Sequence, residues 1–106
     1  DGLIDWSMKS AEIAARVRGF QPFPGSFTFH EGKRLNIWSA RAVGAGDKDR
    51  TVPGAIGSID DGRLLVEAGS GTTLLIDEIQ LEGKKRMAVR EALNSGHFKI
   101  GQRFTS

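Results

Sequence analysis

The lysine and arginine residues near the end of the chain have the type and spacing that could give the protein a chemical role. Lys84, Lys85 and Arg86 follow one another, and Arg90 comes four residues later. From residue 84 onward six basic residues face one acidic residue, whereas residues 1–83 carry nine basic and twelve acidic ones. A basic end on an acidic body is typical of a surface that faces a polyanion, although a solvated helix with a basic tail has the same composition.

The basic run is predicted to open a helix from Lys84 to Leu93, because Val89 and Leu93 would share its apolar face. Lys84, Lys85 and Arg86 would then occupy the first turn, where the positive end of the helix dipole disfavours cations. Phosphate oxygens would relieve that conflict, since free N–H groups and cations would both point at the anion. The pattern therefore predicts binding to a phosphate backbone, with lysines that simply extend into water as the alternative.

Other reactive side chains form no recognisable constellation. The chain has no cysteine, and its two histidines, His30 and His97, are far apart in sequence. Asp60 and Asp61 precede a glycine, which indicates a hairpin turn rather than a cation site. There is no nucleophile elbow. We therefore expect neither catalytic residues nor a metal in this chain. Trp38 could stack on a nucleotide, although a tryptophan on the second face of a strand more often covers a barrel.

The elements that must position these residues are predicted to be mainly strands. A first helix is predicted from Ser7, its N-cap, to Arg18, and a stiff proline corner follows at residues 21–25. Period-two alternation then predicts a hairpin in which His30 points outward. Residues 44–50 are the candidate mobile loop. Further strands are predicted around residues 55–59, 64–66 and 73–81, and the last of these is expected to be buried on both faces. The tail is predicted to be anchored by Phe98, Ile100 and Phe104. Five or six strands with glycine turns predict a small antiparallel barrel or sandwich.

Length and composition set further limits on the chain. Its 106 residues, 39% hydrophobic and 26% charged, are typical of one globular domain spanning residues 1–106. No apolar run approaches the roughly 20 residues of a membrane span, and the acidic start does not match a signal peptide. The absence of cysteine fits a reducing compartment.

Several motifs, taken in order, resemble the C-terminal domain of methionyl-tRNA formyltransferases. The resemblance runs from about residue 3 to about residue 101 and rests on these stretches: Ile4-Asp5-Trp6-Ser7, Val17-Arg18-Gly19-Phe20, Pro22-Phe23-Pro24-Gly25-Ser26-Phe27, Gly32-Lys33-Arg34-Leu35, Leu81-Glu82-Gly83-Lys84-Lys85-Arg86-Met87 and Leu93-Asn94-Ser95-Gly96. Phe23 and Ser26 depart from the family, which commonly has Trp and Ala there. Related domains of sugar and formyltetrahydrofolate enzymes share the proline corner.

The resemblance implies a mainly β fold, an open Greek-key barrel similar to an OB-fold, with an N-terminal and a C-terminal helix. It implies a cytoplasmic, monomeric protein whose catalytic N-terminal domain is absent from this chain. The full enzyme would use 10-formyltetrahydrofolate, whereas this domain would bind no cofactor and would be inactive alone. Its partners would be that catalytic domain and initiator Met-tRNA, which it would position for N-formylation.

The residues expected to contact tRNA phosphates are Lys84, Lys85, Arg86 and Arg90, with Lys33, Arg41 and Lys99 as outer contributors. Arg18 is instead expected to bridge the end of the first helix to the proline corner. The alternative is a scaffold domain of a sugar or formyltetrahydrofolate-dependent formyltransferase, which would pack on its catalytic domain and touch no nucleic acid.

Overall fold

The computed structural model describes residues 2–21, 25–44 and 52–105. The centre of the predicted proline corner and nearly all of the predicted mobile loop lie outside the described residues. Within these ranges the elements, in chain order, are α1 (Ser10–Gly19), β1 (Ser26–His30), β2 (Lys33–Val43), β3 (Ile56–Asp60), β4 (Arg63–Glu67), β5 (Thr73–Leu81), β6 (Arg86–Ala88) and α2 (Val89–Asn94).

The six described strands form one antiparallel sheet with β5 at its centre. The order is β1-β2-β5-β4-β3, and β6 also pairs with β5. Strand β2 runs along one edge of β5, while β4 and β6 pair with successive parts of the other edge. This central position explains why Leu74, Leu75 and Ile76 are all buried, as the continuous apolar run predicted. Because β2 lies beside β5 rather than β3, the order is that of a Greek key.

The C-terminal tail joins the two outer strands of this sheet. Phe29 of β1 and Thr105 exchange two backbone hydrogen bonds, of 2.9 and 3.0 Å. On the β3 side, the Phe104 N–H donates to the Gly54 carbonyl at 2.7 Å and the Ile56 N–H donates to the Gln102 carbonyl at 2.8 Å. The sheet therefore curves into an open barrel, and the prediction of a mainly β fold with a helix near each end is confirmed.

The core fills the inside of this barrel and is covered by α1, which lies against β2 and β5. Ile13 and Val17 of α1 are fully buried, while Phe20 is half-buried. Trp6 packs on Phe104 with 5.9 Å between the ring centroids. No helix among the described residues is long and apolar enough to cross a membrane.

The predicted start of α1 at Ser7 is wrong. The helix begins at Ser10, and its N-cap residue is Lys9. Ser7 is engaged elsewhere, because its Oγ and its N–H both donate to Asp5 Oδ1, at 2.6 and 3.0 Å. The bonds from Ser7, first that of the hydroxyl and then that of the N–H, hold the pKa of the Asp5 carboxyl below its ordinary value. The Asp5 carbonyl also accepts from the Met8 N–H, which closes a turn before the helix.

The predicted inward and outward faces of β1 are also wrong. Its polar residues Ser26, Thr28 and His30 are buried, while the two phenylalanines between them are half-buried on the outer face. His30 Nε2 lies 3.0 Å from Gln102 Oε1, and its ring contacts Phe98 and Phe104. These partners make burial of the imidazole favourable, since a buried polar group needs hydrogen bonds.

Two of the three predicted anchors of the tail are confirmed. Phe98 and Phe104 are buried, and both contact the buried His30 ring. Ile100 is 63% exposed, so its prediction as an anchor is wrong. Gly101 follows Ile100, and its N–H donates to the Ile56 carbonyl. This bond turns the backbone toward β3, while the Ile100 side chain faces solvent.

Candidate nucleic-acid interface

The basic run lies in a turn and a short strand, so the predicted helix from Lys84 is wrong. The Lys84 N–H donates to the Leu81 carbonyl at 2.9 Å, and Gly83 adopts a φ of +76° that reverses the chain. Arg86 then pairs with Gln80 at the edge of β5, and α2 begins only at Val89. The sheet edge supplies backbone hydrogen bonds that the helical periodicity did not reveal. The argument from the helix dipole therefore does not apply to these cations.

Arg86 has two partners on the outer face of the sheet. Its Nη2 donates to Glu78 Oε1 at 2.7 Å, and its guanidinium lies 4.9 Å from the ring centroid of Trp38. The hydrogen bond to Glu78 raises the pKa of the Arg86 guanidinium. The Trp38 indole in turn donates to Gln80 Oε1 at 3.0 Å. Trp38 is half-buried on the face opposite Leu35, as strand parity predicted.

Arg90 also has an intramolecular role. Its Nη2 donates to the Asp61 carbonyl at 3.0 Å and lies 3.3 Å from Asp61 Oδ1. The side chain covers Gly62 in the β3–β4 turn, where an added Cβ would lie 2.9 Å from the Arg90 guanidinium. Arg90 thus ties α2 to this hairpin, and its charge is already partly matched by Asp61.

Lys33 and Lys84 are brought together by the pairing of β2 with β5. Leu35 lies opposite Leu81, so the turn between β1 and β2 and the turn after β5 meet at one end of the barrel. They enclose a cleft of about 330 Å³, here called the basic cleft. Its charged and imidazole side chains are those of His30, Glu31, Lys33, Arg34, Glu82, Lys84 and His97. Lys85 is exposed on the same turn.

Arg34 and His97 are cleft residues that sequence reasoning missed. The Arg34 backbone N–H lies 3.4 Å from Glu82 Oε1, which links the two turns, and its Nε donates to Asn36 Oδ1 at 3.1 Å. Arg34 follows Lys33 directly after a glycine turn, a signal that could have added it to the basic set. His97 gave no such signal, because only the barrel closure carries it to this end.

Two of the predicted contacts lie apart from the cleft. Arg41 is exposed near the far end of β2, eight residues from Lys33, or about 26 Å along an extended strand. Lys99 is exposed in the tail and does not line the cleft; its backbone N–H donates to Gln102 Oε1 at 2.9 Å. Arg18 is exposed on the last turn of α1, and residues 22–24 of its predicted partner lie outside the described residues.

The arrangement is suited to holding a polyanion. In the described ranges no three His, Asp or Glu side chains gather as metal ligands would. Lys33, Arg34, Lys84 and Lys85 exceed the two carboxylates of the cleft, Glu31 and Glu82, by two positive charges. Exposed cations of this kind contact phosphates and position a nucleic acid without reading its sequence.

Comparison with known proteins gives one family. A family model described as "Formyl transferase, C-terminal domain" matches residues 1–97. The chain is 40% identical over 103 residues to a methionyl-tRNA formyltransferase of Geobacter sulfurreducens, covering 97% of this chain and 31% of that protein. It is 48% identical over 94 residues to one of Koribacter versatilis, covering 89% of this chain and 28% of that protein.

A solved structure also shares the fold. HypX from Aquifex aeolicus, in complex with tetrahydrofolic acid, matches with a TM-score of 0.63 and 14% sequence identity. The match covers 97% of this chain and 20% of HypX. The chain spans less than a third of the length of the two methionyl-tRNA formyltransferases. The resemblance in the sequence motifs is confirmed.

Proposed function

The chain belongs to the formyl transferase C-terminal domain family, and we propose that it is the tRNA-binding part of a methionyl-tRNA formyltransferase. In this proposal residues 1–106 act as one accessory domain that holds initiator Met-tRNA. A catalytic domain in the same protein, outside this chain, performs N-formylation with 10-formyltetrahydrofolate. The chain alone binds no folate and transfers no formyl group.

The observation that carries the proposal is the meeting of Lys33, Arg34 and Lys84 around the basic cleft, with Lys85 beside it. The bases of an RNA duplex are hidden in a deep, narrow groove, so a protein holds it by its backbone and shape. Exposed lysines at one end of a compact barrel suit such contacts. Of the residues predicted from sequence, Lys84, Lys85 and Lys33 are therefore the principal phosphate contacts, and Arg41 and Lys99 are at most peripheral ones.

Arg86 and Arg90 take a smaller part in phosphate binding than their sequence positions implied. Each already faces a carboxylate, Glu78 for Arg86 and Asp61 for Arg90. A phosphate would have to compete with that carboxylate for the same guanidinium. We therefore assign Arg90 to the hairpin contact.

The experiment measures binding of fluorescently labelled initiator Met-tRNA to this chain at several salt concentrations. Each lost phosphate contact lowers the slope of log affinity against log salt by about 0.7–0.9. We expect Lys84→Gln to lower the slope by about that amount and to weaken binding. Lys9→Gln is the matched control, because Lys9 is exposed near the opposite end of β5, beside Ser10, whose N–H donates to Thr72.

The scaffold alternative predicts no binding at any salt concentration, and that result with the unaltered chain would contradict the proposal. A Lys84→Gln variant that matches Lys9→Gln in affinity and slope would show that tRNA binds elsewhere than the basic cleft. The shared fold with HypX fits either alternative, so the decision rests on the salt dependence.

A further inference from the structure

The outer face of β1, β2, β5 and β6 carries two arginine–aromatic stacks. The Arg34 guanidinium lies 3.9 Å from the ring centroid of Phe27, and that of Arg86 lies 4.9 Å from the ring centroid of Trp38. Both arginines are exposed, while both rings are half-buried. Each guanidinium therefore lies over an aromatic ring while it remains open to solvent.

Hydrogen bonds in the planes of the two guanidinium groups hold the stacks in place. Arg34 Nε donates to Asn36 Oδ1 at 3.1 Å, and Arg86 Nη2 donates to Glu78 Oε1 at 2.7 Å. The register places Asn36 opposite Gln80, and Gln80 opposite Arg86, so these side chains form one row across the sheet. Side chains fixed in this way lose little conformational entropy when a ligand binds.

A hollow of about 220 Å³ lies on this face beside Arg34. It is lined by Arg34, Asn36 and Gln80, and by residues 81–83 of the turn that leads to Lys84 and Lys85. The face thus combines flat cationic platforms, polar amides and, at its border, exposed lysines. Arg86 is neutralised at its edge by Glu78, so what it offers a ligand is its plane rather than its charge.

We propose that this face stacks unpaired nucleotides of the bound RNA, one base on the Arg34 plane and one on the Arg86 plane. The inference rests on the proposed function, since it names a second contact of the same RNA. Unpaired bases stack on guanidinium planes as they do on aromatic rings, whereas bases inside a duplex have no free face. The lysines of the adjoining turn would then contact the phosphates of the same unpaired segment.

The test compares a ten-nucleotide oligo(A) with a ten-base-pair RNA duplex, both titrated into this chain while tryptophan fluorescence is recorded. Trp38 is half-buried below Arg86, whereas Trp6 is only 4% exposed. We expect oligo(A), and not the duplex, to quench the fluorescence, and Trp38→Phe to remove that response. Arg86→Lys keeps the charge but removes the plane. It should weaken oligo(A) binding at least fivefold, the low end for one stacked base, and change duplex binding less than twofold.

Arg63→Lys is the matched control, because Arg63 is a half-buried arginine of β4 whose ion-pair partner is Asp61 in the β3–β4 turn. Thermal unfolding checks that each variant is folded. Equal weakening of oligo(A) and duplex by Arg86→Lys, or oligo(A) binding without quenching, would overturn the stacking proposal, while salt-dependent duplex binding would leave the proposed function standing. If neither RNA binds at low salt, both proposals fail.

Discussion

Replacing Thr28 with valine removes one hydroxyl that joins three separate parts of the barrel. Thr28 Oγ1 accepts from the Trp6 indole at 2.9 Å and donates to the Thr105 carbonyl at 2.7 Å. Thr28 is fully buried at 0% exposure, so water does not replace these bonds in the variant. Valine has nearly the same shape, so the change tests the hydrogen bonds rather than the packing.

The expected cost follows from what each partner loses. The buried indole N–H is left without its acceptor, at about 1–3 kcal/mol. The Thr105 carbonyl keeps the 2.9 Å bond from the Phe29 N–H, so its loss is that of one ordinary hydrogen bond, about 1 kcal/mol. The added methyl group returns about 0.8 kcal/mol. We expect Thr28→Val to lower the free energy of unfolding by about 1–3 kcal/mol, with Tm falling about 4–8 °C for each kcal/mol.

Urea unfolding followed by circular dichroism measures this free energy. Thr28→Ser keeps the hydroxyl and should recover most of the loss. Thr105→Val is the matched control, because Thr105 is exposed and contributes its backbone carbonyl. If Thr28→Val unfolds within about 0.5 kcal/mol of Thr105→Val, the range for an unremarkable surface change, then the buried hydroxyl does not hold the barrel closed as described.

Two further changes test local features. Ser7→Ala should raise the pKa of Asp5 toward its ordinary 3.8, as measured by carboxyl NMR. The lowered pKa stabilises the fold above about pH 4, and this stabilisation is lost as the pH falls through the pKa that Asp5 has in the folded protein. The stability of the variant should therefore vary less with pH below about pH 4. An unchanged pKa would show that the bond from the Ser7 hydroxyl does not set it. Gly54→Ala should lower the free energy of unfolding in urea more than Gly32→Ala. Both glycines have positive φ, +91° and +78°, but only a Cβ added at Gly54 would meet an atom, the Phe104 carbonyl oxygen. Gly32→Ala alone should cost about 1–2 kcal/mol, and equal losses would contradict the close approach of the tail.

Features set by neighbours in sequence could be predicted from the chain alone. Strand β5 has the predicted bounds, Thr73–Leu81, because its continuous apolar run requires burial on both faces. The glycine of Asp61-Gly62 predicts a turn there, and both residues of that turn, like Glu31 and Gly32 between β1 and β2, have positive φ. Such turns have the twist that a two-residue hairpin needs.

Features that depend on residues distant in sequence could not be predicted from the chain alone. Alternation along β1 shows that two faces differ, but not which face is inward. Thr28 and His30 point inward because Trp6, Gln102 and Thr105 offer them partners, and these residues are far away in sequence. Apolar character therefore gave the wrong face, since phenylalanine is ordinarily the better core residue.

The candidate site shows the same limit. The sequence of residues 84–93 has a helical period, but residues 86–88 form a strand because they pair with the edge of β5. The basic composition was visible in the sequence, but the meeting of Lys33 with Lys84 depends on β2 pairing with β5. At this end of the two strands that pairing joins residues more than forty positions apart, such as Leu35 and Leu81, which no local pattern reveals.

The tail that joins β1 to β3 also has a consequence for synthesis of the protein. Phe29 of β1 and Ile56 of β3 receive their backbone partners from residues 101–105, so these parts of the two edges stay open until that segment has left the ribosome. Open strand edges are templates for pairing with other chains, and slow non-local pairing prolongs their exposure. Each nascent copy is therefore most exposed to misassociation with its neighbours during the interval between translation of β5 and emergence of residues 101–105.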